Sequence, residues 1–187
     1  MRPRVIGIDP GFASIGYAEV LIGKRPEEDF LCQIGVIRTA KSDTKRKVYA
    51  ADDNIRRCRE IVNELDALLV MSLGNKCICA ESMSFPRNAS AAAKVALTWG
   101  IIATLSETRK LPILQCTPQE LKMVVAGSKS ASKAEIQAVL DVKYPNARGI
   151  LSAAKVPNGQ FEHAYDALGA VEACSTSTEF RLLRGMS

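Results

Sequence analysis

The chain reads as an α/β domain built on a mixed five-stranded sheet, in which three antiparallel strands precede parallel ones and helices cover both faces. Three observations predict this. Short β-favouring runs over residues 5–8, 14–22 and 32–39 follow one another through connections too short for crossover helices, so they pair antiparallel. Between residues 48 and 69, Val48, Ala51, Ile55, Cys58, Val62, Leu65 and Leu69 recur at intervals of three and four, the period of one helix face. Beyond that helix, apolar runs at 77–80 and 112–115 alternate with helix-favouring stretches, as parallel strands and their crossovers do.

Each element carries its own signal. The first run ends in the turn sequence Asp9-Pro10-Gly11, and the second is interrupted by Gly16. A charged loop from Lys24 to Asp29 leads to the third, and residues 88–108 favour helix. Thr117-Pro118-Gln119-Glu120 supplies a cap residue, a proline at the first helical position and an acid in the first turn. A helix therefore starts there and runs to about Ala126, where Gly127 breaks it, and another covers Ser132 to Val142. Residues 144–160, with Pro145, Gly149, Pro157 and Gly159, form a loop holding a turn of helix. The last helix spans 161–174. The Ser-Thr run after it predicts one domain over residues 1–175 and a loose C-terminal tail over 176–187.

Composition bounds the function. A chain of 187 residues, 47% hydrophobic and 24% charged, has the balance of a globular protein with one sizeable core. Its net charge of +5 favours a polyanionic partner without demanding one. Cys32, Cys58, Cys77, Cys79, Cys116 and Cys174 form no CxxC pair, so they read as buried free thiols and not as zinc ligands. The N-terminus leads directly into an apolar strand, which leaves no room for a signal peptide, and no apolar run is expected to reach the roughly 18 residues of a membrane span. A reducing, cytoplasmic compartment and no membrane partner are the expectation.

The chemistry lies among the acids. Asp9 and Glu81 each stand at the carboxyl end of an apolar strand, the edge of an open sheet where ligand sites gather. His163 and Asp166, three apart on the last helix, share a face. Three carboxylates and one imidazole make an oxygen-rich set that suits magnesium or manganese better than zinc. Two such ions about 4 Å apart can activate a water and stabilise the leaving oxygen in phosphodiester hydrolysis. Each residue also has a plainer reading, as a turn aspartate before Pro-Gly or a structural histidine.

Four ordered segments together resemble the RuvC family of Holliday-junction resolvases, within the RNase H-like superfamily. Ile6-Gly7-Ile8-Asp9-Pro10-Gly11 with Gly16-Tyr17 is similar to that family's opening strand, and Glu81 with Phe85, Asn88 and Trp99-Gly100 to its second acidic segment. Thr117-Pro118, Leu121-Lys122, Gly127 and Ala131-Ser132-Lys133 resemble its basic segment, and His163-Ala164-Tyr165-Asp166-Ala167-Leu168 its last motif. The resemblance implies an RNase H-like fold and a homodimeric, Mg2+-dependent endonuclease that nicks two opposed strands of a four-way DNA junction. Each active site would hold two Mg2+ ions, with Mn2+ able to substitute.

The same resemblance assigns roles. Asp9, Glu81, His163 and Asp166 would be the catalytic metal ligands. Lys122 and Lys133 would meet phosphates near the cut, with Phe85 as a wedge against junction bases, while Arg87 and Lys129 fall in segments near the same edge, as further DNA contacts or as a solvated charged face. Phe85 lies four residues after Glu81, where many relatives place the aromatic three after, and an ordinary packed aromatic is its alternative role. Glu162, four before Asp166, shares its helix face as a further ligand or a supporting group. The small residues Ala89, Ala92, Ala96 and Gly100 pack either on the protein's own sheet or, as the resemblance implies, on the same helix of a second subunit. The cluster Lys41, Lys45, Arg46 and Lys47 reads as a solvated face.

Asp9-Pro10-Gly11 followed by Gly16 also resembles the first phosphate loop of actin-like ATPases and sugar kinases, but the chain offers no second phosphate loop or adenosine pocket. Among nucleases, a broader branched-DNA or flap nuclease and an RNase H acting on hybrids stay open. A non-enzymatic junction-binding protein is opposed by the four intact candidate ligands.

Overall fold

The sheet of the computed structural model, which describes residues 2–42, 49–71, 74–83 and 88–185, runs in the order β3-β2-β1-β4-β5. Strands β1 (Arg4–Asp9), β2 (Ser14–Leu21) and β3 (Phe30–Arg38) are antiparallel neighbours, with Asp9 opposite Gly16 and Ser14 opposite Arg38. Strand β4 (Asn75–Glu81) lies parallel to β1, with Ile8 beside Ala80, and β5 (Ile113–Cys116) lies parallel to β4, with Glu81 beside Cys116. Parallel neighbours need a crossover. Helix α1 (Ala50–Met71) supplies the one into β4, and α2 (Ala89–Arg109) the one into β5.

Both faces of the sheet are covered, so its central strands are mostly buried, as Val5–Ile8 of β1 are. Alternation along the strands divides the core in two. Ile6, Ile8, Ile15 and Ile78 pack with Ile61 and Leu65 of α1 and Ile102 of α2. Val5, Ala18, Val20 and Cys79 pack with α6 (Phe161–Cys174), which lies along β1 and β2 and buries ten of its residues. Helices α3 (Pro118–Ala126) and α4 (Lys133–Lys143) brace α6. Both begin at complete capping boxes, Thr117 with Glu120 and Ser132 with Glu135, and Gly127 ends α3 in the left-handed conformation. Helix α5 (Ala147–Ala153) is the turn of helix inside the loop expected over 144–160.

Three expectations are corrected. The segment after α6 is no loose tail over its described residues: Thr178–Gly185 form α7, with Phe180 fully buried and Arg184 paired to Asp29 at 2.7 Å. One aromatic among the polar residues anchors that segment. Ile55 and Val62 do not join the core through α1; they are 54% and 36% exposed, while Ile61, Leu65, Leu68 and Leu69 face inward. Last, one segment is long and apolar enough to cross a membrane by length and composition alone, α2 with its 21 residues. Only Thr98, Ile102 and Leu105 of α2 are buried, so its apolar character is not spent on its own core.

Candidate active site

Asp9 and Glu81 end adjacent parallel strands, one residue beyond the Ile8–Ala80 pair. They alternate with the residues that face α1 and α2, so both project on the α6 side of the sheet, as Gly7 and Cys79 do. Helix α6 brings His163 and Asp166 over them. It can come this close because β1 and β2 carry glycine beneath it. A Cβ on Gly7 would fall 2.0 Å from the Ala167 carbonyl oxygen, and one on Gly16 would fall 1.8 Å from that of His163.

Hydrogen bonds tie three of the four groups, Asp9, His163 and Asp166, to partners. The His163 Nδ1 lies 2.8 Å from Asp9 Oδ2, and the Lys133 ammonium donates to Asp166 at 3.0 Å and to Glu162 at 2.6 Å. Burial pushes the Glu81 carboxyl up to about 7, and the charges of Asp9 and Asp166 push the same way against Lys133 and Lys122. Burial also raises Asp166, opposed by its bond to Lys133. The hydrogen bond to Asp9 raises His163 despite its burial. Burial disfavours the Lys133 charge, but its bonds to Glu162 and Asp166 outweigh that and hold it protonated.

Acids that oppose one another's ionisation at a partly buried strand edge form a cation-seeking set, and their oxygen-rich chemistry fits a hard divalent ion. Among the described residues no three His, Cys, Asp or Glu side chains are already drawn into a closed metal shell. Instead, Asp9 holds His163, and the Lys133 ammonium takes the positive position beside Asp166.

The strain on Glu81 has a measurable consequence. Its folded-state value lies above the unfolded one near 4.5, so stability is present at low pH and is lost as pH rises from about 4.5 to about 7. Glu81→Gln is therefore expected to stabilise the metal-free protein at pH 8 and not at pH 4. The full shift corresponds to about 3 kcal/mol, which Glu81's partial exposure discounts to about 1–2 kcal/mol, a rise in Tm of about 2–8 °C for a chain of this size. Thermal melts in EDTA at the two pH values measure it, and equal melting of variant and parent at pH 8 would contradict it.

The other predicted residues divide. Lys122 is close enough to Glu81 for its charge to act there. Lys129 is exposed and lines a separate groove with Cys116, Thr117, Glu120 and Met123. Phe85 and Arg87 lie outside the described residues, as do Lys45, Arg46 and Lys47. Ala89, Ala96 and Gly100 are exposed and Ala92 is half-buried, with nothing within 4 Å of a Cβ placed on Gly100. Two further residues support the turn after Asp9. The buried Arg57 donates to the Phe12 carbonyl and lies over its ring at 4.3 Å, and the buried Thr98 hydroxyl donates to the Gly11 carbonyl. In sequence, Arg57 is one charge among several on a charged helix, so nothing singled it out.

Comparison with known proteins places this geometry among relatives. The family model described as "Crossover junction endodeoxyribonuclease RuvC" matches residues 5–168. The protein of that name from Natranaerobius thermophilus is 29% identical over 178 residues, covering 95% of this chain and 96% of its own. Its counterpart from Prochlorococcus marinus strain MIT 9312 is 30% identical over 133 residues, covering 71% and 76%. Among solved structures, Thermus thermophilus RuvC in complex with a Holliday junction substrate superposes with a TM-score of 0.70 at 22% identity, covering 96% of each chain. The yeast mitochondrial Holliday junction resolvase Ydc2 gives 0.65 at 13% identity, over 99% of this chain and 84% of its own. These two share the RNase H-like fold found here.

Proposed function

Since the chain belongs to the RuvC family of crossover junction endodeoxyribonucleases, we propose that it resolves four-way DNA junctions by paired nicking, with Asp9, Glu81, His163 and Asp166 as its magnesium ligands. The observation that carries this reading is the meeting of three carboxylates and an imidazole where β1, β4 and α6 converge, with two lysines beside them. The family consists of metal-dependent nucleases. Two Mg2+ ions per site, with Mn2+ able to substitute, would supply the Lewis acidity that phosphodiester hydrolysis needs.

The chain's own groups do the rest. The carboxylates of Asp9, Glu81 and Asp166 bring the negative charge that holds the ions. Lys122 and Lys133 bind and orient the phosphate, and Arg87 and Lys129 extend the DNA contact, so affinity falls steeply as salt rises. Phe85 serves as the wedge at the junction. His163, bonded to Asp9, orders that carboxylate and ligates only when neutral, so acid weakens metal binding. The six cysteines are free thiols, which supports a reducing, cytoplasmic setting.

A symmetric junction calls for two copies of the site, and α2 supplies a surface for pairing. Ile55 and Val62 of α1 form an apolar groove with Ala93, Ala96, Leu97 and Gly100 of α2, and the same groove of a second subunit is its occupant. Gly100→Phe is expected to keep the fold, because the space over Gly100 is open. It should weaken the dimer about a hundredfold, one hot-spot contact being worth about that. Sedimentation of parent and variant across a concentration series measures it, and a monomeric parent that still nicks in pairs would overturn the pairing.

Substrate choice tests the function as a whole. A synthetic four-way junction should be cut in preference to a flap, a linear duplex and an RNA/DNA hybrid of the same sequence. Equal cutting of the flap would establish a broader branched-DNA nuclease, and preference for the hybrid an RNase H activity.

A further inference from the structure

Lys133 is the first residue of α4, held there by the Ser132–Glu135 capping box, and its side chain reaches across to α6. There one ammonium is shared between two acids a helical turn apart on the same face. Glu162 accepts at 2.6 Å and is 45% exposed; Asp166 accepts at 3.0 Å and is 20% exposed. The inner acid is a proposed metal ligand, and the outer one was legible in the sequence only as a further ligand or a supporting group. A divalent cation and an ammonium repel each other and compete for the Asp166 carboxylate. Without an outer acid, the lysine could yield to the metal only by leaving for solvent. Glu162 offers it a second anion one turn further out, whose carboxyl that contact already holds below its ordinary range.

We propose that Glu162 is a positioning residue that docks Lys133 when a divalent cation takes Asp166, keeping the ammonium at the edge of the site and off the metal's carboxylate. The proposal rests on the metal site described under Proposed function. It assigns Glu162 no ligand role. Removing the Glu162 charge leaves Asp166 as the one acid hydrogen-bonded to the lysine among the described residues and strengthens the lysine's competition with metal. Removing Lys133 abolishes the competition, and with it the reason Glu162 matters.

The test is a double-mutant cycle read by Mn2+ binding, by titration of the free-ion electron paramagnetic resonance signal, on the full chain without DNA. Glu162→Gln should weaken Mn2+ binding about three- to tenfold, the size of coupling found between contacting charged groups. Lys133→Met should strengthen it. In the Lys133→Met background, Glu162→Gln should have little effect. The Lys133 and Glu162 side chains are 60% and 45% exposed, so the variants remain folded. If Glu162→Gln weakens binding equally in both backgrounds, Glu162 is a ligand or a general attractor and the docking is overturned. An absence of effect in the parent background overturns it as well. Asp166→Asn in the same titration separates the two readings: unchanged Mn2+ affinity there overturns the metal site and the docking together, whereas a loss there leaves the site standing and the cycle to judge the docking alone.

Discussion

Asp9→Asn and Asp166→Asn are each expected to slow junction cleavage by about a thousandfold or more, since a metal centre contributes several kcal/mol to the transition state and each 1.4 kcal/mol is a factor of ten. Asparagine has nearly the shape of aspartate, so the fold survives while one negative charge leaves the site. Junction binding should persist or tighten, because each removed carboxylate also removes repulsion towards the phosphate. His163→Asp should keep more activity than His163→Ala, since it offers an oxygen from a similar position. Single-turnover cleavage in magnesium, set beside gel-shift binding in calcium, separates the two effects. Parent-like cutting by either asparagine variant would end the assignment of these residues as metal ligands.

Gly16→Ala should damage the protein through packing. The added Cβ would meet the His163 carbonyl oxygen at 1.8 Å and the Ala164 nitrogen at 2.9 Å, both backbone atoms at the first turn of α6. No rotamer change can relieve such a contact, so the helix must lift from the sheet. Overpacking of this kind costs about 1–3 kcal/mol. The lift carries His163 away from Asp9, now 2.8 Å apart, and displacing a reacting group by about 1 Å costs roughly a hundredfold in rate. Gly7→Ala, aimed at Ala167 further along α6, should lose comparable stability. Thermal melts and single-turnover rates on the two variants measure both effects. A Gly16→Ala protein with parental Tm and rate would show that α6 is not held as described.

What the sequence reveals follows the range of the interactions. Capping boxes at Thr117 and Ser132 span four residues, so both helix starts were legible. The antiparallel pairing of β1, β2 and β3 was legible because the connections after β1 and β2 are too short for crossovers. Asp9 and Glu81 stood out as strand-end acids, and the spacing of His163 and Asp166 put them on one face; the RuvC resemblance joined the two pairs. Contacts distant in sequence were not legible. Gly16 looked like an interruption of a strand, since the carbonyl that demands it belongs to His163. The Lys133–Glu162 pair joins two helices whose angle no periodicity encodes. Hydrophobic period alone could not tell the buried stripe of α1 from its exposed one, because Ile55 and Val62 are as apolar as Ile61 and Leu65. The α7 segment was hidden because its polar composition outweighed Phe180 and the Arg184–Asp29 pair.

Mapping of nicks on a four-way junction, with each of the four strands end-labelled in turn and magnesium added under single-turnover conditions, bears most directly on the proposed activity. Cuts should fall in two opposed strands at symmetric positions and leave two nicked duplexes that ligase can seal. Cuts spread over all four strands, or a linear duplex cleaved at the junction's rate, would contradict junction resolution by this site.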